Sequence, residues 1–235
     1  MNQSPPQPIQ KSVGGGDVTF RTRAAIEAIG TFILVTTAGV AVFSACPLAA
    51  VGVGVILIVM IYAAGQLAGG HFNAAVTLAV LLRRRIGLRR AAINWLSQIG
   101  GGLLGAVAVR GIVDPERIVN REGIMLTDRT MVAVFLAELV FAFVLTYAVL
   151  GFATGDLPVP TSAQDLAVGV GTLVGAVGVA ALSAGAFHAT SRLHDLATGV
   201  FTWSTVWVYL VGQTVAGFFA GIAFMTFGWW TYYEG

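Results

Sequence analysis

The chain has 235 residues, 57% of them hydrophobic and 10% charged, with 30 glycines and a mean hydropathy of +0.84. A soluble domain carries about a quarter charged residues, so this composition excludes an ordinary soluble globule and points to a membrane protein. The net charge of +2 and the pI near 9.0 would suit nucleic acid, but the basic residues lie beside apolar runs, where they set orientation in a lipid bilayer. No nucleic-acid partner is expected.

Residues 1–16 are polar, with Pro5, Pro6, Pro8 and Gly14-Gly15-Gly16, and lack the basic start and apolar core of a cleavable signal peptide. They read as a disordered tail over about 1–20, a Pro-rich docking ligand being the alternative. The first span is expected from about Arg23 to Val42 and carries Glu27. A single cysteine, Cys46, leaves neither an internal disulfide nor a Cys-based metal site. The second span is expected over about Ala49 to Ala68.

Next comes Gly69-Gly70-His71-Phe72-Asn73-Ala74-Ala75-Val76-Thr77, which stays apolar to Leu82 and is followed by Arg83-Arg84-Arg85. About ten helical residues at ~1.5 Å each reach ~15 Å, half of a ~30 Å hydrocarbon core. Such a segment cannot span the membrane. It must dip in and return, with its non-helical backbone inside protein or beside a water-filled cavity. Asn73 is placed to cap the short helix, its side chain and the first free N–H groups facing that cavity. That is the anatomy of a pore.

A basic loop, Arg83 to Arg90, leads to a third span over about Ala91 to Val109, which holds Gln98 and the glycines from Gly100 to Gly105. A polar connection follows from Arg110 to Arg129, and then the pattern restarts. Ala137-Glu138 with Phe141, Val144 and Leu145 parallels Ala25-Ile26-Glu27 with Gly30, Ile33 and Leu34, a separation of 138 − 27 = 111. The fifth span, about Leu166 to Leu182, runs into Ser183-Ala184-Gly185-Ala186-Phe187-His188, and 188 − 73 = 115. Two membrane repeats, 21–129 and 130–235, are therefore expected. Each holds an odd number of spans, so the second is inverted in the bilayer. A glutamate buried in a span is costly unless it faces a cavity or a partner, which makes Glu27 and Glu138 functional candidates. The glycines at 100–105, 169, 171, 175, 178, 212, 217 and 221 are read as sites of close helix packing.

Lys11, Arg21 and Arg23 precede the first span and five arginines between 83 and 90 follow the short helix, all on one side in this topology. By the bias of basic residues that side is cytoplasmic, with both termini on it. The bias supports the topology through the first half only. The loop 151–164 has no Lys or Arg, and the loop 110–129 offsets four arginines with four acids.

The stretch from Gly69 to Ala79 resembles the first signature of the major intrinsic protein (aquaporin and glycerol-facilitator) family, usually Gly-Gly-His-Phe-Asn-Pro-Ala-Val-Thr, with Ala74 in place of Pro. The second signature, usually Gly-Gly-Ala-Phe-Asn-Pro-Ala-Arg-Ser-Leu-Gly-Pro, is matched weakly. Without a gap, His188 stands for Asn, Ala189 for Pro, Thr190 for Ala and Ser191 for the constriction arginine. The run from Trp203 to Gly212 resembles the family's last span, so the likeness covers about residues 24 to 228.

The resemblance implies an all-α membrane protein of six transmembrane helices plus two re-entrant half-helices in an inverted 3+3 repeat. It also implies a homotetramer with a pore in each subunit. By it, Asn73, Ala74, Ala75, His188, Ala189 and Thr190 form the pore signature, and Val53, Ala176, Gly185 and Ser191 the selectivity constriction. That constriction lacks any large or charged side chain and is expected to be wide. Arg192 and His71 are further candidates for the pore or its mouth, Arg192 through a one-residue shift. His71 has an alternative as a buried hydrogen-bonding residue that steadies the loop. His194 and Asp195 fit an outer mouth. Family members start each half-helix with proline, whose missing N–H costs nothing there, but none of the seven prolines here falls in an expected membrane segment. Alanine is a good helix former and should preserve both half-helices.

Two half-helices aiming their N-termini at the membrane centre place about half a positive charge each beside the pore. Two capping side chains then offer donors to a passing water oxygen, which orients water and repels cations. The expected function is a passive channel for water and small uncharged solutes, with no cofactor and no catalytic step. A poorly conducting structural or adhesion protein on the same fold is the alternative, supported by the altered second signature. An intramembrane enzyme built on His188, His194 and Asp195 has only the proximity of three polar residues behind it.

Overall fold

The computed structural model describes residues 19–44, 46, 48–68, 70–114, 128–154, 166, 170 and 203–227. Its helices are α1 (Phe20–Phe43), α2 (Ala49–Ala68), α3 (Ala74–Leu82), α4 (Leu88–Ile112), α5 (Asp128–Thr154) and α6 (Trp203–Phe227). Every described element is a helix. The segments Phe20–Ala41, Leu88–Ile112, Met131–Gly151 and Leu210–Phe227 are each long and apolar enough to cross a bilayer. Apart from Leu166 and Val170, the expected fifth span lies outside the described residues, as do the second half-span and residues 1–18.

Helix boundaries depart from expectation where arginines flank the spans. α1 starts at Phe20 rather than Arg23, because the Thr19 side chain accepts from the Thr22 N–H at 3.2 Å and caps it there. α4 extends beyond Ala91–Val109 at both ends, so Arg89 and Arg90 belong to its first turn and Arg110 to its last. The loop before it shrinks to residues 83–87. Long arginine stems lie along an apolar helix while their heads reach the polar boundary, so charge near a span end does not stop a membrane helix.

Small residues set the close approaches. A Cβ on Gly101 would collide with the Ala28 carbonyl, and one on Gly105 would lie 3.0 Å from the Phe32 carbonyl oxygen; these glycines let α4 lie directly on α1. Gly217 does the same for α6, whose absent side chain would stand 2.7 Å from the Ala75 carbonyl oxygen at the start of α3. Gly100 does not fit the packing assignment, since a Cβ there would meet nothing within 4 Å.

α3 is held between the other helices. Val76, Ala79 and Val80 of α3 share a buried cluster with Ala91 of α4, Leu150 of α5 and Phe224 of α6. A nine-residue helix is marginal alone, so its stability comes from this packing. α1 pairs with α4 and α5 with α6, and each pair carries one buried glutamate bonded to one buried glutamine.

Candidate functional site

The approach to α3 is irregular backbone held by side chains. Gly70 and Phe72 both take left-handed conformations, with φ of 48° and 46°. For phenylalanine that conformation is strained and persists only when its surroundings fix it. They do so twice. The Phe72 ring is fully buried with Leu34 and Leu57, seated where a Cβ on Gly30 would otherwise fall. Its N–H donates to Glu27 Oε2 at 2.9 Å, while the neighbouring N–H of His71 donates to Glu27 Oε1 at 2.7 Å.

Glu27 is fully buried and takes a third bond, from Gln98 Nε2 to its Oε2 at 2.9 Å. The sequence left open whether this glutamate faces a cavity or a partner. It faces a partner: two successive N–H groups of the loop that leads into the half-helix. Buried N–H groups in a membrane have no water to turn to, so this carboxyl group answers a requirement of the backbone.

Below it, Gln98 Nε2 also donates to Thr77 Oγ1 at 3.1 Å, and Thr77 Oγ1 donates to the Asn73 carbonyl at 3.1 Å. His71 Nδ1 lies 3.0 Å from Thr77 Oγ1 and accepts from Asn94 Nδ2 at 3.2 Å. His71 is thus a buried member of the network that steadies the loop. Asn73 occupies the N-cap of α3 in an extended conformation, its Oδ1 accepting from the N–H of Ala75 at 2.7 Å and of Val76 at 3.4 Å. The Ala74 carbonyl accepts from Trp95 Nε1 at 3.2 Å, which ties the residue standing at the proline position to α4.

The far end of α3 is fastened too. Arg83, its C-cap, donates from Nη1 to the Leu150 carbonyl at 3.0 Å and sets its guanidinium 4.4 Å from the centre of the Phe224 ring. The half-helix is therefore fixed at both termini by side chains from, or bonds to, four other helices.

In the other helix pair, Gln213 Nε2 donates to Glu138 Oε2 at 3.0 Å, and both residues are buried. Glu138 and Gln213 stand to each other as Glu27 and Gln98 do. Sequence reading found both glutamates and noted Gln98, but gave Gln98 no role and passed over Gln213, Asn94 and Thr77. A signal existed: 213 − 98 = 115, the separation already found between Asn73 and His188.

Residues 15–224 match the family described as major intrinsic protein, and that match decides the family. The chain belongs to the major intrinsic protein family. A protein of Arabidopsis thaliana described as "Probable aquaporin NIP4-2" is 33% identical over 212 residues, covering 83% of this chain and 70% of that one. Aquaporin-8 of Rattus norvegicus is 29% identical over 178 residues, with 74% of this chain and 67% of that protein covered. The X-ray structure of the aquaglyceroporin from Plasmodium falciparum shares the fold, with a TM-score of 0.67 at 18% identity over 88% of this chain and 96% of that chain. The protein is an integral, multi-pass, all-α membrane protein of the aquaporin type.

Of the other residues that the major intrinsic protein resemblance nominates, Val53 is half-buried on α2. Ala176, Gly185, His188, Ala189, Thr190, Ser191, Arg192, His194 and Asp195 lie outside the described residues.

Proposed function

We propose that the chain is a passive channel for water and small uncharged solutes, with no catalytic step and no cofactor. The observation that carries this reading is the half-helix α3, capped by Asn73 and locked by Glu27. A rigid helix N-terminus inside the membrane presents fixed positive partial charge to whatever passes, which favours a neutral, oxygen-bearing permeant over a cation. Aquaporin-8 and the aquaglyceroporin are named for such permeants, and membership of their family supports the same chemistry here. An inert structural role gains nothing from burying so many polar groups around one short helix.

In this reading Asn73 and His188 face each other across the pore centre, with Ala74, Ala75, Ala189 and Thr190 completing the two turns. Val53, Ala176, Gly185 and Ser191 line the outer constriction, with Arg192 at its edge. The subunits assemble as a homotetramer, and the arginine-rich end, with both termini, is cytoplasmic. Cross-linking in native membranes checks the first of these statements, where a dimer or monomer would count against it. Protease access to the N-terminal tail in oriented vesicles checks the second.

Without a large side chain at the constriction, polyols should pass readily. Ser191→Arg adds bulk and a fixed positive charge, so glycerol flux is expected to fall about tenfold while water flux falls less. An unchanged ratio of glycerol to water flux would show that Ser191 does not line the constriction. Swelling of vesicles carrying the native chain tests the function itself.

A further inference from the structure

The end of the molecule nearest the start of α1 gathers seven of the chain's thirteen basic residues from three separate stretches. Arg21 and Arg23 open α1, Arg83 to Arg85 follow α3, and Arg89 and Arg90 open α4. The fold brings these stretches together. The Arg89 guanidinium stacks 4.9 Å from the centre of the Phe20 ring, and Arg90 lies close enough to Arg23 to feel its like charge. Among the described residues the acid at this end is Glu27, which attracts Arg90 and whose oxygens accept from His71, Phe72 and Gln98.

We infer that Arg21, Arg84 and Arg89, with the neighbouring arginines, form a docking surface for the phosphate headgroups of anionic lipids in the adjoining leaflet. This rests on the reading of the chain as a membrane-embedded channel with that end at the bilayer surface. Three observations carry it.

Arg21, Arg84 and Arg89 are exposed, and all three lie at or just beyond the ends of helices α1, α3 and α4. Clusters of four to eight basic residues beside a span attract anionic lipids in proportion to their number. Second, an aromatic contact holds the Arg89 head in place. Stacking on Phe20 uses the face of the Arg89 guanidinium and leaves its edge, where the N–H groups lie, for a phosphate to meet in two parallel bonds. Third, Arg84 sits at φ 60°, a conformation that glycine or asparagine adopts at less cost. That turn ends α3, the Arg84 N–H donating to the Leu81 carbonyl at 2.8 Å and the Arg85 N–H to the Val80 carbonyl at 3.1 Å, and it leaves the Arg84 side chain exposed just past the helix. The first turn of α4 contains no acid and two arginines, so the positive end of its dipole adds to the same field.

The test uses the purified full chain in dioleoylphosphatidylcholine vesicles with trace spin-labelled phosphatidylglycerol or spin-labelled phosphatidylcholine. The measured quantity is the ratio of the two lipids in the motionally restricted shell around the protein. The expected preference for phosphatidylglycerol is at least about fivefold, the effect of one engaged arginine near a charged surface. It should shrink in 1 M salt, where the screening length falls to ~3 Å. The triple variant R21Q/R84Q/R89Q should bring the ratio close to one. R84Q and R89Q made singly give smaller drops and serve if the triple variant fails to insert. A native ratio near one, or a ratio the variants leave unchanged, overturns the inference and leaves the arginines a topological role only. Water flux is read from the same vesicles. Flux without lipid preference refutes the docking surface alone, and preference without flux refutes the channel alone.

Discussion

Glu27→Ala is expected to abolish conduction and to lower the fraction of chain that survives mild heating in detergent. The substitution removes one carboxyl group and strands the His71 N–H, the Phe72 N–H and one N–H of Gln98 Nε2, whose other bond, to Thr77 Oγ1, remains. Each buried donor left without a partner costs about 1–3 kcal/mol. Together they come to on the order of 5 kcal/mol, comparable with the lower end of a domain's whole stability. The loss falls on a backbone already strained at Phe72, so the loop should relax before the spans separate. Glu27→Gln keeps the size and one acceptor oxygen but turns an amide N–H toward other N–H groups, and should give an intermediate loss. Solvent exchange at the His71 and Phe72 amides, followed by mass spectrometry, should rise in both variants. An alanine variant that conducts like the native channel would mean that Glu27 does not hold the loop.

The second large effect concerns pH and follows from the second signature. An asparagine cap is indifferent between pH 5 and 8, because an amide does not titrate there. In the proposed alignment His188 stands at the equivalent position, and an unperturbed imidazole has a pKa of ~6.5. Burial and the positive end of its own half-helix would both disfavour the charged ring, so protonation is expected only on the acid side of that value. The sign follows: the neutral ring at high pH leaves the pore open to neutral solutes, while the added positive charge in acid holds water more tightly and opposes cations further. Solute flux is therefore expected to fall on acidification, and His188→Asn should flatten the profile. Matching profiles for the two proteins in identical vesicles would reduce His188 to a helix cap that the permeant never touches.

How much of this could be read beforehand depended on the range of each interaction. The α3 half-helix was legible because its signals are local: nine residues, all but Thr77 apolar, too few to cross, with an asparagine in front and arginines behind. Length against bilayer thickness settles such a case without any tertiary information. Glu27 was legible as an anomaly, a carboxyl group in an apolar span, but its partner was not, because the N–H groups it serves lie 44 and 45 residues further along. Backbone donors have no sequence signature. Asn94 and Thr77 were missed for a related reason: single polar residues in a span carry no spacing of their own, and only the fold brings them to His71. Helix ends were misjudged at Arg23 and Arg90 because arginine was treated as a boundary, whereas its stem travels with the helix and only its head must reach water.

The measurement closest to the central claim is osmotic swelling of vesicles that hold the purified full chain, compared at equal size with empty vesicles and with vesicles carrying Glu27→Ala. A channel for water and small uncharged solutes predicts water permeability well above the lipid background and measurable glycerol influx. Both should be lost in the Glu27→Ala vesicles, and neither should be accompanied by ion leak. Water and glycerol permeabilities equal to those of empty vesicles, from protein shown to be folded and inserted, would contradict the account and leave a membrane protein that keeps the family's architecture without its pore.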